Sequence, residues 1–520
     1  MAKYKGIKVE RYELISKTFS FIFKTRFLGI ICLFGLVVFL GSMWNRYIYI
    51  DDAFFGEQAY YLAKEGVVKI PCLINFLGCD IQLFSYHKLN IFVGAGLIKL
   101  FGWSIIPLRS VTVLFMGALF YVTWLYFKNI KPDSSNKHFV IAAFVLFVNP
   151  LILLYGYTFR PEIWVTFFGF SSFLLIDNCI RTKSHIAMVA LSGVCAGFAF
   201  LTHLNGLIFP VAGFILLIVY RKYREVLLFS VVTVIVSAFY FWDLWQPGHF
   251  QAWMYQLTNW PDNNTTNYTS IGIVGLLKNV VLKLLSEHQR FFWSYKVWSV
   301  SLLFFTALIF NFQFFLKEYR SLLIYTITLI IVLNVAGSQI AERYLIYLLP
   351  FMAIIISIGI HRLFEKWRSG LGVIYLLLVI AHISFFAVMA IDIFKRNDNY
   401  QLKHEAVFSR IPDRTQKILV PYQFVFDGLD NYNLAVYKGF EYHESAIGRK
   451  LTQQEFFSRA DSLGIRYIVF PKDDLNNEKT SLSCIDGKEI EPSLFYTFFY
   501  QDSNALILEH TLYPQHKSIK

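Results

Sequence analysis

The sequence predicts a mainly α-helical, polytopic membrane bundle with a small α/β unit at its carboxy end, and three observations carry that expectation. The chain of 520 residues is 56% hydrophobic and 16% charged, with a mean hydropathy of +0.49, far more apolar surface than one water-soluble core can bury. Apolar runs near the length that crosses the ~30 Å hydrocarbon layer recur between residues 27 and 393. Beyond about residue 395 the pattern changes to short β-like runs around one capped helix.

Eleven runs qualify as spans, at about 27–48, 106–127, 139–157, 162–178, 185–203, 206–220, 225–245, 298–316, 321–337, 344–360 and 371–393. The first lacks a small-residue cleavage site and is expected to stay as a helix. "KLNIFVGAGLIKLFG" (88–102) is shorter and carries lysines, and the positive-inside rule decides its reading. If it does not cross, the basic N-terminal segment (1–26), "KNIKPDSSNK", "RTK", "RKYR", "KEYR" and "HRLFEKWR" all face one side. It therefore reads as a juxtamembrane or re-entrant helix, with the amino end cytoplasmic and the carboxy end outside. The net charge of +13 is then topology, because it lies between apolar runs rather than on one basic face, and no nucleic-acid partner is expected.

This organisation makes 27–394 the membrane domain and puts three segments on the outer face: a first loop (50–105), a second loop (246–297) and an extracytoplasmic α/β domain (395–520). In the second loop "IGIVGLLKNVVLKLLSEHQRFFW" has apolar residues at helical spacing, as in a helix lying along the membrane surface. In the tail, "KILVPYQFVF" and "IRYIVF" read as strands, and "LTQQEFFSRADSLG" as a helix with Thr452 as N-cap and Gly464 as C-cap. The scattered cysteines include one near pair, Cys72 and Cys79, equally readable as a small disulfide or two free thiols. Sequons begin at Asn263, Asn264 and Asn267, and no metal-type Cys/His cluster is present.

Chemistry is sought where acids and cations from separate loops meet one membrane face. Asp51 and Asp52 follow the first span and could simply cap the next helix. Glu57 shares that helix, and Glu162 opens the fourth span beside Pro161, so independent loops bring carboxylates to one depth, where acids are costly and usually face a polar cavity. His87, Lys88, Arg160, His288, Arg290 and Arg343 fall on the same face. Any one of them could merely snorkel to a headgroup. Together, a carboxylate can deprotonate an attacking group while cations neutralise a departing phosphate, which suits group transfer from a lipid phosphate.

In that order, "DDAFFGEQAYYLAKEG", "FSYHKLNIFVGAGLIKLFG", "IPLRSVTVLFMGALF", "YTFRPEIWVTFFGFSSFLL", "GVCAGFAFLTHLNGLIFP" and "RYLIYLLPFMAIII" resemble the successive landmarks of GT-C membrane glycosyltransferases, in the branch of the lipid A aminoarabinose transferase and protein O-mannosyltransferases. The resemblance covers about 27–360 and implies an inverting, single-displacement transfer of a sugar from a polyprenyl-phosphate donor to a lipid, glycan or protein acceptor, at the outer face of a bacterial inner membrane. It implies Asp51 as the general base or acceptor-orienting group, with Asp52 in place of the family's Glu beside it and Gly66 closing the helix. Glu162 stands for the second-loop acid, one methylene longer than the commoner Asp, and Arg343 for an arginine that faces the donor phosphate. His87-Lys88 stands for a Lys-Pro element, and His203 replaces a frequent Lys with no role assigned. No cofactor is implied with certainty, although some relatives bind a divalent cation, which here would fall at Asp51, Asp52 or Glu162. The competing classes are a transporter or lipid flippase and a non-catalytic glycan-assembly protein.

Overall fold

A computed structural model describes residues 25–182, 185–261, 273–336, 340–366, 369–395, 400–472, 481–485, 490 and 494–511. Most of the N-terminal segment and all three sequons lie outside these residues. Helix α1 (Thr25–Ser42) leads to α2 (Ile50–Glu65), which Gly66 terminates in the left-handed region, as expected. Next come α3 (Lys88–Phe101) and the long α4 (Ile105–Ile130), capped by Ser104. The expected span 139–157 is instead two helices, α5 (Ser135–Phe147) and α6 (Pro150–Tyr155). Proline cannot continue the hydrogen-bond ladder, so the helix restarts at Pro150, and the Asn149 side chain caps the new start.

The bundle continues through α7 (Glu162–Arg181), α8 (Ile186–Thr202), α9 (Ile208–Val219) and α10 (Tyr223–Ala238). Helices α11 (His249–Asn259), α12 (Ile273–Ser286) and α13 (His288–Phe292) occupy the second loop. Val281, Leu282, Leu284 and Leu285 of α12 are exposed, the unpaired apolar surface expected of a helix that lies on a membrane. Helices α14 (Tyr295–Glu318), α15 (Arg320–Ala336), α16 (Leu349–Lys366) and α17 (Ser369–Lys395) complete it, α14 being bent at Asn311. Among the described residues six helices are long and apolar enough to cross a membrane, and four shorter ones are apolar.

Beyond α18 (Tyr400–Phe408) a five-stranded sheet forms, in the order β2-β1-β3-β5-β4. Strands β1 (Lys417–Val420), β2 (Asn433–Val436) and β3 (Ile465–Pro471) are parallel, and β5 (Ala505–His510) then β4 (Tyr496–Gln501) extend the sheet antiparallel beyond β3. The expected first strand stops at Val420 because Pro421 cannot donate to a neighbour, and Tyr422–Phe424 then turn. Helices α19 (Lys438–Ile447) and α20 (Gln453–Ser462) accompany the sheet; Thr452 caps α20 in a reciprocal pair with Glu455, and Gly464 follows its end at φ +67°.

The sheet unit is docked on α2. Trp103 stacks flat on Phe426 at 4.3 Å and donates to its carbonyl at 2.8 Å. A Cβ at Gly56 would stand 2.6 Å from the Phe426 ring, so α2 must be bare there. The Val436 amide donates to the Cys72 carbonyl, and Cys72 and Cys79 are both free thiols.

Candidate functional site

The site begins at the first turn of α2, where adjacent aspartates project about 100° apart and meet different surroundings. Asp52 is wholly buried. Its Oδ2 accepts from the Tyr49 amide at 3.0 Å and from Arg109 Nη2 at 2.6 Å, and its Oδ1 accepts from the Phe159 amide at 2.5 Å. Arg109 also donates to the Tyr47 carbonyl at 2.7 Å. The adjoining Arg46 binds the Leu153 and Leu154 carbonyls at the end of α6, which the break at Pro150 turns toward it. Asp52 thus ties α2, α4 and the 156–161 segment together.

Asp51, about a third exposed (32%), faces the other way and forms an ion pair with Arg160. The buried Arg160 guanidinium also holds Glu162 through Nε at 3.1 Å and Nη2 at 2.6 Å. Glu162 is 1% exposed, and Arg343, arriving from the turn before α16, stands 3.8 Å from its Oε1 with 31% of its side chain exposed. Residues 51, 160, 162 and 343 therefore form one chain of alternating charge with both ends open to the surface. Three segments far apart in sequence make it, as the expected convergence required.

Histidine 87 joins this chain and Lys88 does not. The His87 ring stacks on His203 at 4.2 Å and lies 5.1 Å from Phe55. Burial pushes it down to about 4, with Glu162 pulling the other way, so it is a neutral imidazole at pH 7. Lys88 turns to Asp243, at 2.6 and 2.8 Å, over the Tyr86 ring. Burial pushes its amine down to about 8, with Asp243 opposing. Arg290 is buried against Glu287 at 2.7 Å and lies 5.9 Å from the Tyr344 ring, beside the chain but committed to its own acid. His288 is exposed, its ring against the Leu285 carbonyl, and among the described residues no contact brings it to the other site residues.

Sequence reasoning gave His203 no role and missed several other neighbours. His203 accepts the Asn205 amide on Nδ1, and its ring is 5.9 Å from Tyr344. The turn that places it depends on Gly206, where a Cβ would come 2.1 Å from the Ala199 carbonyl oxygen. Tyr347 is fully buried, and its hydroxyl has no hydrogen-bond partner among the described residues. Asp243, an acid in the otherwise apolar "FWDLW", carried a signal that could have been read. The Lys296–Glu342 pair at 2.5 Å joins the start of α14 to the turn before α16, two places that sequence spacing does not relate.

Among the described residues no group of three His, Cys, Asp or Glu side chains is arranged to hold a metal ion. A divalent cation between Asp51 and Glu162 does not fit this arrangement, because the Arg160 guanidinium occupies that place. What remains is a carboxylate open to an acceptor, next to guanidinium groups able to receive an anionic group.

No family model matches the chain, and no curated protein matches it significantly. Solved structures do. ArnT from Cupriavidus metallidurans bound to undecaprenyl phosphate aligns with a TM-score of 0.55 at 12% identity, covering 92% of this chain and 97% of that one. The Archaeoglobus fulgidus oligosaccharyltransferase in complex with Zn and sulfate aligns at 0.52 and 15% identity, over 84% of this chain and 67% of that one. The archaeal oligosaccharyltransferase AglB from the same organism, with an inhibitory peptide and a dolichol-phosphate, aligns at 0.51 and 14%, over 84% and 69%. Both are GT-C glycosyltransferases, and at these identities the likeness is one of fold.

Proposed function

We propose, from the fold shared with these GT-C enzymes, that this chain is a membrane glycosyltransferase that moves a sugar from a polyprenyl-phosphate donor to an acceptor at the outer face of the membrane. The observation that carries the proposal is the open chain Asp51–Arg160–Glu162–Arg343, which sets a solvent-reachable carboxylate beside guanidinium groups at one end of the bundle. Asp51 takes the proton of the attacking group as the new glycosidic bond forms at the anomeric carbon and the bond to the phosphate breaks. Arg343 and Arg160 receive the negative charge that builds on the departing lipid phosphate. Glu162 positions both guanidinium groups. Arg160 exchanges Asp51 for the donor phosphate when donor binds, leaving Asp51 free to face the acceptor; His87 and His203 form an uncharged wall that leaves the charge pattern undisturbed. Asp52 supports the site through α2 rather than in it.

Eleven passes fit this reading when α5 and α6 count as one and α3 does not cross. Lys88 at the start of α3 meets Asp243 after α10, and Trp103 just past its end meets the sheet unit, so both ends of α3 lie at the site end. Trp44, Trp242, Trp245, Trp293 and Trp298 are exposed near the helix ends that this topology puts at the site end, which supports an interfacial aromatic belt there. The carboxylates gather at this end and not at mid-depth, which favours transfer over transport. The N-terminus then lies in the cytoplasm and the sheet unit outside a bacterial inner membrane.

The test is transfer from a radiolabelled polyprenyl-phosphate sugar in detergent. Asp51→Asn is expected to lower kcat by about 10²–10⁴-fold, the usual worth of a general base. Arg343→Ala should weaken donor affinity and also lower kcat, because the charge that grows on the departing phosphate loses one of its two guanidinium partners. Transfer undiminished in both Asp51→Asn and Glu162→Gln would remove the proposed chemistry and leave a transporter or assembly role.

A further inference from the structure

The molecule carries a largely apolar cavity of about 520 Å³ between α1 and α17, lined by none of the residues of the charged chain just described. Its α1 wall is Ile31, Phe34, Gly35 and Val38, and its α17 wall runs from Ile383 to Lys395 with Ala387 and Ala390 between. Both sets repeat at three and four residues, so each is a single helix stripe. The two helices touch at one end, where a Cβ at Gly41 would sit 3.7 Å from the Phe394 ring, and the cavity opens along the stripes from there. Gly35, Ala387 and Ala390 make the space, since each sits where a larger side chain would fill it; a Cβ at Gly35 would already approach Val148 to 3.2 Å.

The length and ends of the cavity say what it takes. From Ile383 to Lys395 the α17 stripe rises about 18 Å, close to the extended length of a lipid acyl chain. Phe34, Ile391 and Phe394 are 63%, 53% and 40% exposed along it, so the groove opens sideways rather than being sealed in the bundle. Its lining holds one charged residue, Lys395, at the end nearest Gly41, where α1 gives way to the segment leading to α2. An apolar slot of one-chain length with a cation at its mouth is complementary to an anionic amphiphile. We propose that this groove is a site for an anionic glycerophospholipid, one acyl chain lying between α1 and α17 and the phosphate at Lys395. The proposal does not rest on the transferase reading, and the groove's lining includes none of Asp51, Arg160, Glu162 or Arg343. The bound chain would brace α1 against α17 immediately before the turn that sets Asp51.

The test uses delipidated full-length protein in detergent, titrated with phosphatidylglycerol or phosphatidylcholine and read by native mass spectrometry. Wild type should retain one phosphatidylglycerol at about tenfold lower lipid concentration than phosphatidylcholine. Ala387→Phe combined with Ala390→Phe fills the slot and should abolish that retention, and Lys395→Glu should equalise the two lipids; an unchanged thermal transition in each variant shows that the fold is intact. If the double variant unfolds, Ala387→Leu alone is used, with a partial loss expected. Equal retention of both lipids by wild type, or undiminished retention in the filled variants, overturns the proposal. Displacement of phosphatidylglycerol by undecaprenyl phosphate at equal concentration would also overturn it, by assigning the groove to the isoprenoid carrier.

Discussion

Two neighbouring aspartates with opposite fates define the residue scale. A helix turns successive side chains through about 100°, so at the start of α2 one carboxylate must face the packed interior and the other the opening. Sequence could show that acids reach this end of the bundle, yet it could not say which of the two faces inward, because that depends on how α2 rolls against α4 and the 156–161 segment. Asp52 takes the capping position expected of such a pair, and Asp51 keeps the free face. Asp52→Ala should therefore act on stability, with a loss of about 3–5 kcal/mol because Arg109 is left buried without its anion. Its signature is a lowered thermal transition in detergent, whereas Asp51→Asn should leave that transition where it is.

At the scale of elements, the sheet unit is a support for α2. Glu57 lies on the buried face of that helix and accepts from the Cys72 amide at 2.9 Å and the Tyr422 hydroxyl at 2.7 Å, with no cation on either oxygen among the described residues. Burial pushes its carboxyl up to about 7, against the pull of those two donors. A folded-state value above the ordinary 4.5 means that the folded protein holds this proton more tightly than the unfolded chain. Stability from this group is fully present below about pH 4.5 and is lost as pH rises through about 7, a change of about 3 kcal/mol. Between pH 5 and 8 the wild-type thermal transition should fall for this reason, and Glu57→Gln should flatten that slope. Phe426→Ala, which removes the ring under Trp103, should loosen α2 and lower kcat severalfold while donor affinity holds; a KM-led loss would contradict the supporting role.

Across the whole molecule, what could be read early followed physical periodicity, and what could not followed tertiary contact. Apolar run length marked the helices, and the run at 139–157 divides into two helices where Asn149-Pro150 interrupts an otherwise continuous hydrophobic pattern. Thr452 and Gly464 were legible because caps are local chemistry. Strands β2, β4 and β5 were not read, being short and paired with partners distant in sequence. Lys88 and His288 do not meet the neighbours expected of them, since charge and chain order give depth without direction. The proposed orientation has a direct check in a variant lacking the native cysteines. Ser409→Cys should react with a membrane-impermeant maleimide on intact cells, and Lys128→Cys only after permeabilisation; the reverse pattern would invert the bundle.

The docking of β2 on Cys72 and of Phe426 on Trp103 and Gly56 has a practical corollary. In open α/β sheets the carboxyl ends of parallel strands are where small molecules usually settle, and here that rim is already spoken for by the first loop. A gene trimmed at residue 395 would consequently not yield a leaner catalyst. It would strip the greasy underside of the helix bearing Asp51, and the expression host would recover precipitate.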